Sequence, residues 1–418
     1  MLDLNFIREK PDLVKKAARD KGLDPAAVDR VLALDQTRRE LQIKVENLRA
    51  KRNQLTKNDL NQGRQIKLEL KKLEPALKTA KNQLQEALLW LPGIPSEDTP
   101  VGPDAAANKL VRSWGQPPKF AFKPKSHIEL GTALNLLDLE RGAKVAGFRG
   151  YFLKNEAALM HLGLMHYALE TLVKRGFTPL VPPVVVKDFT LVNTGHFPWG
   201  QLDIYKTYDD EKEKDIRYLA GTAEVPLVSY HSGEVLNEKD LPICYAGFSP
   251  CFRREIGTYG KDAKGLYRIH EFLKIEQVVI CKNDLQESLN WLEKLAENAE
   301  IILQGLKLPY RVVQLSTGEM GQPQYKKYDI ETWMPSRNDY GETMSDSAML
   351  EFQSRRANLR YRTKTGEVKF VHMLNNTALA SPRILIAIWE NYQQADGSIL
   401  IPEVLQKYVG KKIIKHVE

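Results

Sequence analysis

Two stretches near the N-terminus place apolar side chains at alternating four- and three-residue steps. The first runs through Val31, Leu34, Arg38, Leu41, Val45, Leu48, Arg52 and Leu55, the second through Ile66, Leu70, Leu73, Leu77, Ala80, Leu84, Ala87 and Leu91. That spacing lays one apolar stripe along each of two helices. The polar "KNDLNQGR" between them holds one glycine and reads as a hairpin tip. The pattern predicts an antiparallel two-helix coiled-coil arm over about 27–92, each helix reaching roughly 45 Å at 1.5 Å per residue. Arg38 and Arg52 interrupt the stripe. Their stems can pack on the seam while the guanidinium groups reach water. Pro75 falls inside the second helix, where a missing N–H and a ring clash cost about 3 kcal/mol or force a kink.

The pattern changes after Leu91. "LPGIPSEDTPVGPDAA" ends the second helix and reads as a linker, giving an N-terminal domain over 1–105 and a second domain over 106–418. Beyond it, "GAKVAGFRGYFLKNEAALMHLGLMHYALETLVKRGFTPLVPPVVV" predicts a short strand, a long apolar helix and a β-rich run that Pro182 and Pro183 assign to a sheet edge or an interface. Strands are expected near 216–219, 242–252, 266–280, 310–314, 328–333, 342–345 and 369–373. Helices are expected from Ala223, from "LQESLNWLEKLAENAEIILQGL" with a cap at Asn283 and Asp284, and from Pro382. Strands joined by hairpin-like loops indicate an α+β fold, a mostly antiparallel sheet flanked by helices.

Charge sharpens the reading of the arm. Residues 30–85 carry fourteen Lys or Arg against six Asp or Glu, a surplus that equals the net charge of +8 of the whole chain. Coiled coils usually balance their flanking charges, so a one-signed rod points to a phosphate backbone. Cys244, Cys251 and Cys281 form no Cys-x-x-Cys pair, and buried reduced thiols are the simplest reading. Charges in "MLDLNFIREKPD" exclude a signal peptide, and no apolar run spans a membrane, so the expected location is cytoplasmic. Histidine spacing supports no zinc site, and neither a P-loop nor a Gly-x-Gly-x-x-Gly turn is present.

The candidate chemistry begins where the apolar "ICYAGFSPCF" runs into Arg253, Arg254 and Glu255. Strand alternation puts Arg253 and Glu255 on one face and Arg254 on the other. A guanidinium suits two phosphate oxygens. The carboxylate can accept from an exocyclic amine, and Phe272 on the partner strand could stack on a base. Ser381 is expected as a helix N-cap with Pro382 as first residue. Arg383 in that first turn opposes the helix dipole, which a bound anion would explain. Glu342 and Ser345, a carboxylate and a hydroxyl near phosphates, suit Mg²⁺.

With these residues in order, the second domain resembles the class II aminoacyl-tRNA synthetases. "FRRE" is similar to their motif 2, Arg383 at a helix head to motif 3, and "GFTPLVPPVV", with Pro183 in the proline position, to the dimer-forming motif 1. More narrowly, the chain resembles the bacterial-type seryl-tRNA synthetases from end to end. The basic arm is followed by "LAGTAEVPL", "SPCFRRE", "TYGKDAKGLYRIHEF", "KIE", "YDIETWMPSRNDYGE", "FQSRRANLRYR" and "ENYQQADGSILIPEVLQKY".

The resemblance implies serine–tRNA ligation, with ATP and Mg²⁺, by a homodimer. L-serine and tRNA(Ser) would be the partners, and tRNA(Sec) a further candidate. It implies a serine pocket at Thr222, Ala223, Glu224, Glu276, Asn375 and Thr377. Arg253 would hold both the α-phosphate and the serine carboxylate. ATP would also meet Arg254, Glu255, Phe272, Glu342, Thr343, Met344 and Ser345, with Arg383 on the γ-phosphate; Arg253 and Arg383 would be the catalytic pair. On the arm, Arg38, Arg39, Lys44, Arg49, Lys51, Arg52, Lys57, Lys71, Lys72 and Lys78 would face tRNA. The chain departs from the family in "NNTALASPR" for "NGSGLAVGR", where Ala378 and Pro382 remove backbone freedom, and in "ETMS" for "EISS". Two other readings stand beside this one: a non-catalytic nucleic-acid-binding relative, and an amino acid:carrier-protein ligase, which the basic arm disfavours.

Overall fold

The structure, a computed structural model, describes residues 1–56, 59–207, 216–256 and 264–416. Lys57 lies outside the described residues. The chain forms two compact units, Met1–Ile94 and Pro95–Glu418.

In the first unit, helices α1 (Leu4–Glu9) and α2 (Pro11–Asp20) precede the long α3 (Ala26–Gln54) and α4 (Leu60–Leu89). Asp3 starts α1 by accepting from the amides of Asn5 and Phe6 at 2.8 and 3.2 Å. The long pair closes on the expected stripe. Val45, Ile66, Leu70 and Leu77 are buried, with Leu41, Leu48, Leu55 and Leu73 against them. The base of the arm is a second core, of Ile7, Val14, Val28, Val31, Leu84, Leu88 and Leu91. The two short helices supply its first members, which the heptads alone do not reveal.

Arg38 does not reach freely outward. It pairs with the buried Asp35, which also binds Arg8 Nε at 2.9 Å, because i,i+3 spacing brings the two side chains together. Arg52 is exposed, as expected. Pro75 sits on the outer face of an α4 that runs unbroken past it. Pro75→Ala restores a helical N–H and removes the ring. Amide exchange across the middle of α4 should slow by more than tenfold in the intact protein; unchanged exchange would show that the helix already accommodates the ring at no cost.

Burial pushes the Lys21 ammonium down to about 7. The unfolded chain, with a lysine near 10.4, then binds more protons than the folded one between those values. Stability of the first unit therefore rises with pH from about 7 upward, by at most about 1.4 kcal/mol per pH unit. Lys21→Met should flatten that slope in denaturation curves of the whole protein at pH 7 and 9.

The second unit is built on one eight-stranded sheet. Its strands are β1 (Lys109–Trp114), β2 (Thr178–Leu180), β3 (Ile243–Phe252), β4 (Glu271–Cys281), β5 (Tyr310–Gln314), β6 (Lys326–Met334), β7 (Asp339–Leu350) and β8 (His372–Ser381). They lie in the order β1-β5-β6-β7-β8-β4-β3-β2, antiparallel throughout except for β2 against β3. The flanking helices that matter here are α5 (His127–Ala133), α6 (Glu156–Lys174), α7 (Glu224–Ser229), α8 (Leu285–Gly305) and α9 (Arg383–Tyr392). Asp284 caps α8 by accepting from Glu287 N at 2.7 Å.

Met160 and Leu164 of α6 and Leu292, Leu295 and Ala299 of α8 bury Ile275, Val279, Leu374 and Leu379 of the central strands. One face of the sheet is thereby committed to the core. Among the described residues, no helix is long and apolar enough to cross a membrane.

Three features differ from the sequence reading. The segment after Ile94 is no free spacer. Ser96 N donates to Tyr325 O, Thr317 N to Pro100 O and Gly318 N to Gly102 O, at 2.8–2.9 Å, so it forms an extended strap on the second unit. β1 was not expected; it gains its place by edge pairing with β5 rather than by an apolar pattern of its own. Ser381 closes β8 and bonds His161 Nδ1 at 2.7 Å, so it caps nothing; α9 starts at Arg383, with Pro382 in the cap position.

Two β-bulges set the other face of the sheet. Ile330 pairs with Met344 but Glu331 with Glu342, so Thr343 is an extra residue in β7. Ile275 pairs with Leu379 but Glu276 with Thr377, so Ala378 is extra in β8. Residues three apart normally point to opposite faces. Each bulge brings such a pair to the same face: Glu342 with Ser345, and Thr377 with Ala380. Ala378 keeps a negative φ, so alanine at this point costs no backbone strain.

Candidate active site

On the open face, Phe272, Lys274 and Glu276 alternate along β4, beside Asn375 and Thr377 of β8 and Ser345 and Ser347 of β7. Two adjoining pockets share this floor. The first is lined by Arg253, Glu255, Phe272, Thr377 and Arg383 and by the whole run Glu342, Thr343, Met344 and Ser345. The second is lined by Thr222, Glu224, Glu276 and Asn375. Arg253, Lys274 and Ser345 line both. The two arginines, distant in sequence, thus meet at one cleft.

β3 ends at Phe252, so strand alternation does not itself orient the charged triplet. Glu255 instead takes a positive φ of 50°, which turns it back into the cleft. Its carboxylate meets Arg268 Nη1 at 3.1 Å. Arg253 lies over the Phe272 ring at 5.2 Å and donates from Nε to Gly221 O at 3.2 Å. Among the described residues, no carboxylate comes within ion-pair distance of it. Arg383 is more heavily tied. Nε donates to Tyr267 O at 3.1 Å, and Nη1 reaches Glu342 O at 2.9 Å and its carboxylate at 3.3 Å. Burial alone would raise Glu342, but Arg383, Lys327 and Arg253 together hold its carboxyl below the usual range. Asp329, on the same face, is pushed up to about 7 by burial, despite Lys327 at 3.4 Å.

The second pocket has a buried acidic floor. Glu224 accepts from Gln353 Nε2 at 2.7 Å and Asn375 Nδ2 at 3.0 Å, and burial raises its carboxyl. Glu276 is raised by burial too, opposed by its ion pair with Lys274. Thr377 joins both, accepting from Lys274 Nζ at 3.3 Å and donating to Glu276 at 3.4 Å. Thr222 accepts from Glu224 N at 3.1 Å, just ahead of α7, while facing the pocket.

Two expected residues are not brought to the cleft. Ala223 is buried in a small apolar cluster with Leu227, Val278 and Ile280, beside the cleft on the same face of the sheet. Arg254 turns away to Leu202 O, at 3.0 Å, and its amide to Asp203 O. Sequence reasoning missed Lys274, Arg268, Tyr267, Gln353 and His196. Lys274 had a signal, since it shares the alternation of Phe272 and Glu276. His196, driven down to about 4 by burial and then by Arg253 and Lys274, had none.

On the arm, Arg39, Lys44, Lys51, Arg52, Lys71, Lys72 and Lys78 are exposed. Arg49 is exposed but shared with Glu74 at 2.7 Å, and Arg38 is held by Asp35.

Comparison with known proteins gives a consistent picture. The family model "Seryl-tRNA synthetase N-terminal domain" matches residues 1–95, and "tRNA synthetase class II core domain (G, H, P, S and T)" matches residues 205–392. A serine–tRNA ligase of Deinococcus radiodurans is 44% identical, over 98% of this chain and 98% of its own length. The solved structure of seryl-tRNA synthetase from Pyrococcus horikoshii complexed with ATP superposes with a TM-score of 0.94, at 38% identity and full coverage of both chains. The cytoplasmic serine–tRNA ligase of Naegleria fowleri in complex with AMP superposes at 0.91, with 32% identity, covering 100% of this chain and 99% of its own.

Proposed function

The chain belongs to the seryl-tRNA synthetase family, and from that premise we propose that its paired pockets activate L-serine with ATP and transfer the seryl group to the 3′ end of tRNA(Ser). The observation that carries this reading is the position of Arg253, which lines both pockets. There it can hold the serine carboxylate and the α-phosphate against each other. Proximity of this kind turns a bimolecular attack into an effectively unimolecular one.

The carboxylate oxygen attacks the α-phosphorus in line, and pyrophosphate leaves as the P–O bond to it breaks. Charge on the phosphoryl oxygens is met by Arg253 and, at the far end, by Arg383. Phe272 offers a surface to the adenine ring and Glu255 an acceptor to its amine. Glu276 and Glu224 (through Asn375) of the second pocket, with Thr377 reaching Glu276 from the first, can bind the amine and hydroxyl of serine. The 3′-terminal ribose then attacks the mixed anhydride.

Glu342 and Ser345, on one face because of the Thr343 bulge, fit one side of a Mg²⁺ site. Among the described residues no group of three His, Cys, Asp or Glu could hold a metal ion, so phosphate oxygens and water would complete the shell, as Mg²⁺ commonly allows. When bound, the ion would screen triphosphate charge.

Homodimer formation through the 145–185 region is supported by exposed Val145, Phe148, Phe152, Val181 and Val185. The exposed basic residues of the arm would contact tRNA(Ser), with tRNA(Sec) a second candidate acceptor.

Serine-dependent exchange of pyrophosphate into ATP tests the reading. Serine should support it, and alanine should be rejected by roughly 10⁴-fold, because buried groups built for a hydroxyl would go unpaired. Absence of exchange in folded protein would favour a non-catalytic nucleic-acid binder instead.

A further inference from the structure

Glu390 of α9 is fully buried, and its carboxylate joins separate parts of the fold. One oxygen accepts from His127 N at 2.9 Å, faces His127 Nδ1 at 3.1 Å and accepts from the Ser336 hydroxyl at 2.9 Å. The other accepts from Ser336 N at 2.9 Å. Burial acts to raise this carboxyl, yet these donors hold it below the ordinary range. An ionised acceptor fixes the imidazole proton on Nδ1 and leaves Nε2 as a lone pair. Nε2 then accepts from Leu266 N at 3.3 Å. The approach is close. Gly265 has φ +78°, and a Cβ built there would lie 2.3 Å from Nε2.

Immediately after Leu266 the chain becomes the wall of the first pocket. Tyr267 accepts from Arg383 through its carbonyl, and its ring stands 4.3 Å from that guanidinium and 4.0 Å from Arg337. Arg268 reaches Glu255. Arg337 is the neighbour of Ser336 in the chain. One carboxylate therefore ties the helix that carries Arg383 to the turn that carries Arg337 and, through His127, to the segment that carries Tyr267 and Arg268.

We propose that His127, oriented by Glu390, is a positioning residue for ATP: its Nε2 lone pair fixes the Leu266–Arg268 segment, and that segment aims Arg383 and Glu255 at the nucleotide. The proposal rests on the reading of the first pocket as the ATP site. Its alternative is a histidine that only stabilises the fold.

Two substitutions separate these. His127→Gln puts an amide oxygen near the Nε2 position and keeps an acceptor for Leu266. His127→Asn puts a donor near Nδ1, keeps the bond to Glu390 and leaves the Leu266 N–H buried and unmatched. In serine-dependent pyrophosphate exchange, KM for ATP should rise about tenfold in the Asn variant and stay within about threefold of wild type in the Gln variant. KM for serine should be unchanged in both. Gly265→Ala, which crowds the same contact from the other side, should raise KM for ATP as the Asn variant does. Equal KM for ATP in the Asn and Gln variants, or a parallel rise in KM for serine, would overturn the proposal. So would a lowered Tm with unaltered KM in Gly265→Ala. Wild-type protein without any exchange would instead sink the ATP reading itself.

Discussion

Arg253→Ala should lower serine-dependent pyrophosphate exchange by about 10³-fold, the scale seen when one fixed donor to a developing phosphoryl charge is removed. This arginine is the cleaner of the two to test. Arg383 is bonded to Tyr267 and to Glu342, so removing it frees a carboxylate and two carbonyls as well as removing a charge. Among the described residues Arg253 gives up one side-chain hydrogen bond, to Gly221 O, and its stacking on Phe272. Tm should therefore move little while the rate collapses. Arg253→Lys keeps the charge but not the planar fork, and should recover only a small part of the loss. Because the residue lines both pockets, the drop should be visible in kcat and not be relieved by saturating ATP or serine. A variant that regains full speed at high ATP would mean that Arg253 merely binds nucleotide.

The second large effect is expected from shortening the arm. The two short N-terminal helices share a core with its base, so removal of the entire 27–92 span would strip Ile7 and Val14 of their partners. Arg49 faces Glu74 across the helix pair, which locates the opposite residues and allows a shorter cut. Replacing 46–77 with a Gly/Ser turn leaves that base intact and removes Arg49, Lys51, Arg52, Lys57, Lys71 and Lys72. Pyrophosphate exchange should change less than about twofold, while aminoacylation of tRNA(Ser) at physiological salt should fall by 10²-fold or more and become less salt-dependent, since each lost phosphate contact removes its share of counterion release. Charging that persists after the cut would assign tRNA recognition to the other unit. A carrier-protein ligase would show no dependence on the arm.

The arm was legible in the sequence because heptad spacing is a local property. Its partner helices were not, since Ile7 and Val14 gain meaning only once α3 and α4 are adjacent. The charged residues of the cleft were found because a cation or carboxylate beside an apolar strand is conspicuous in any register. Their orientation was harder. Alternation put Glu255 in the cleft for the wrong reason, since the strand had already ended and a positive φ turns it there. Ser381 looked like a cap, but the cap signature of a serine before a helix is shared by a serine that ends a strand. His127 works through a long-range partner, Glu390, that lies 263 positions away in the chain. No spacing rule reaches that far.

The extra residues at Thr343 and Ala378 carry a consequence for how this cleft can change over time. Each shifts the phase of its strand by one, so the two halves of the strand are correct only relative to the inserted residue. A codon lost at either point would restore plain alternation and leave Glu342 on the face of Ser345, or Thr377 on that of Ala380, whereas a codon gained would put the pair out of phase and turn Glu342 or Thr377 toward the helices. Exchange of residues at these positions is open to selection, as alanine at 378 illustrates; a gain in length is not. Lineages of such a chain should tolerate substitutions along β7 and β8 while shedding insertions there.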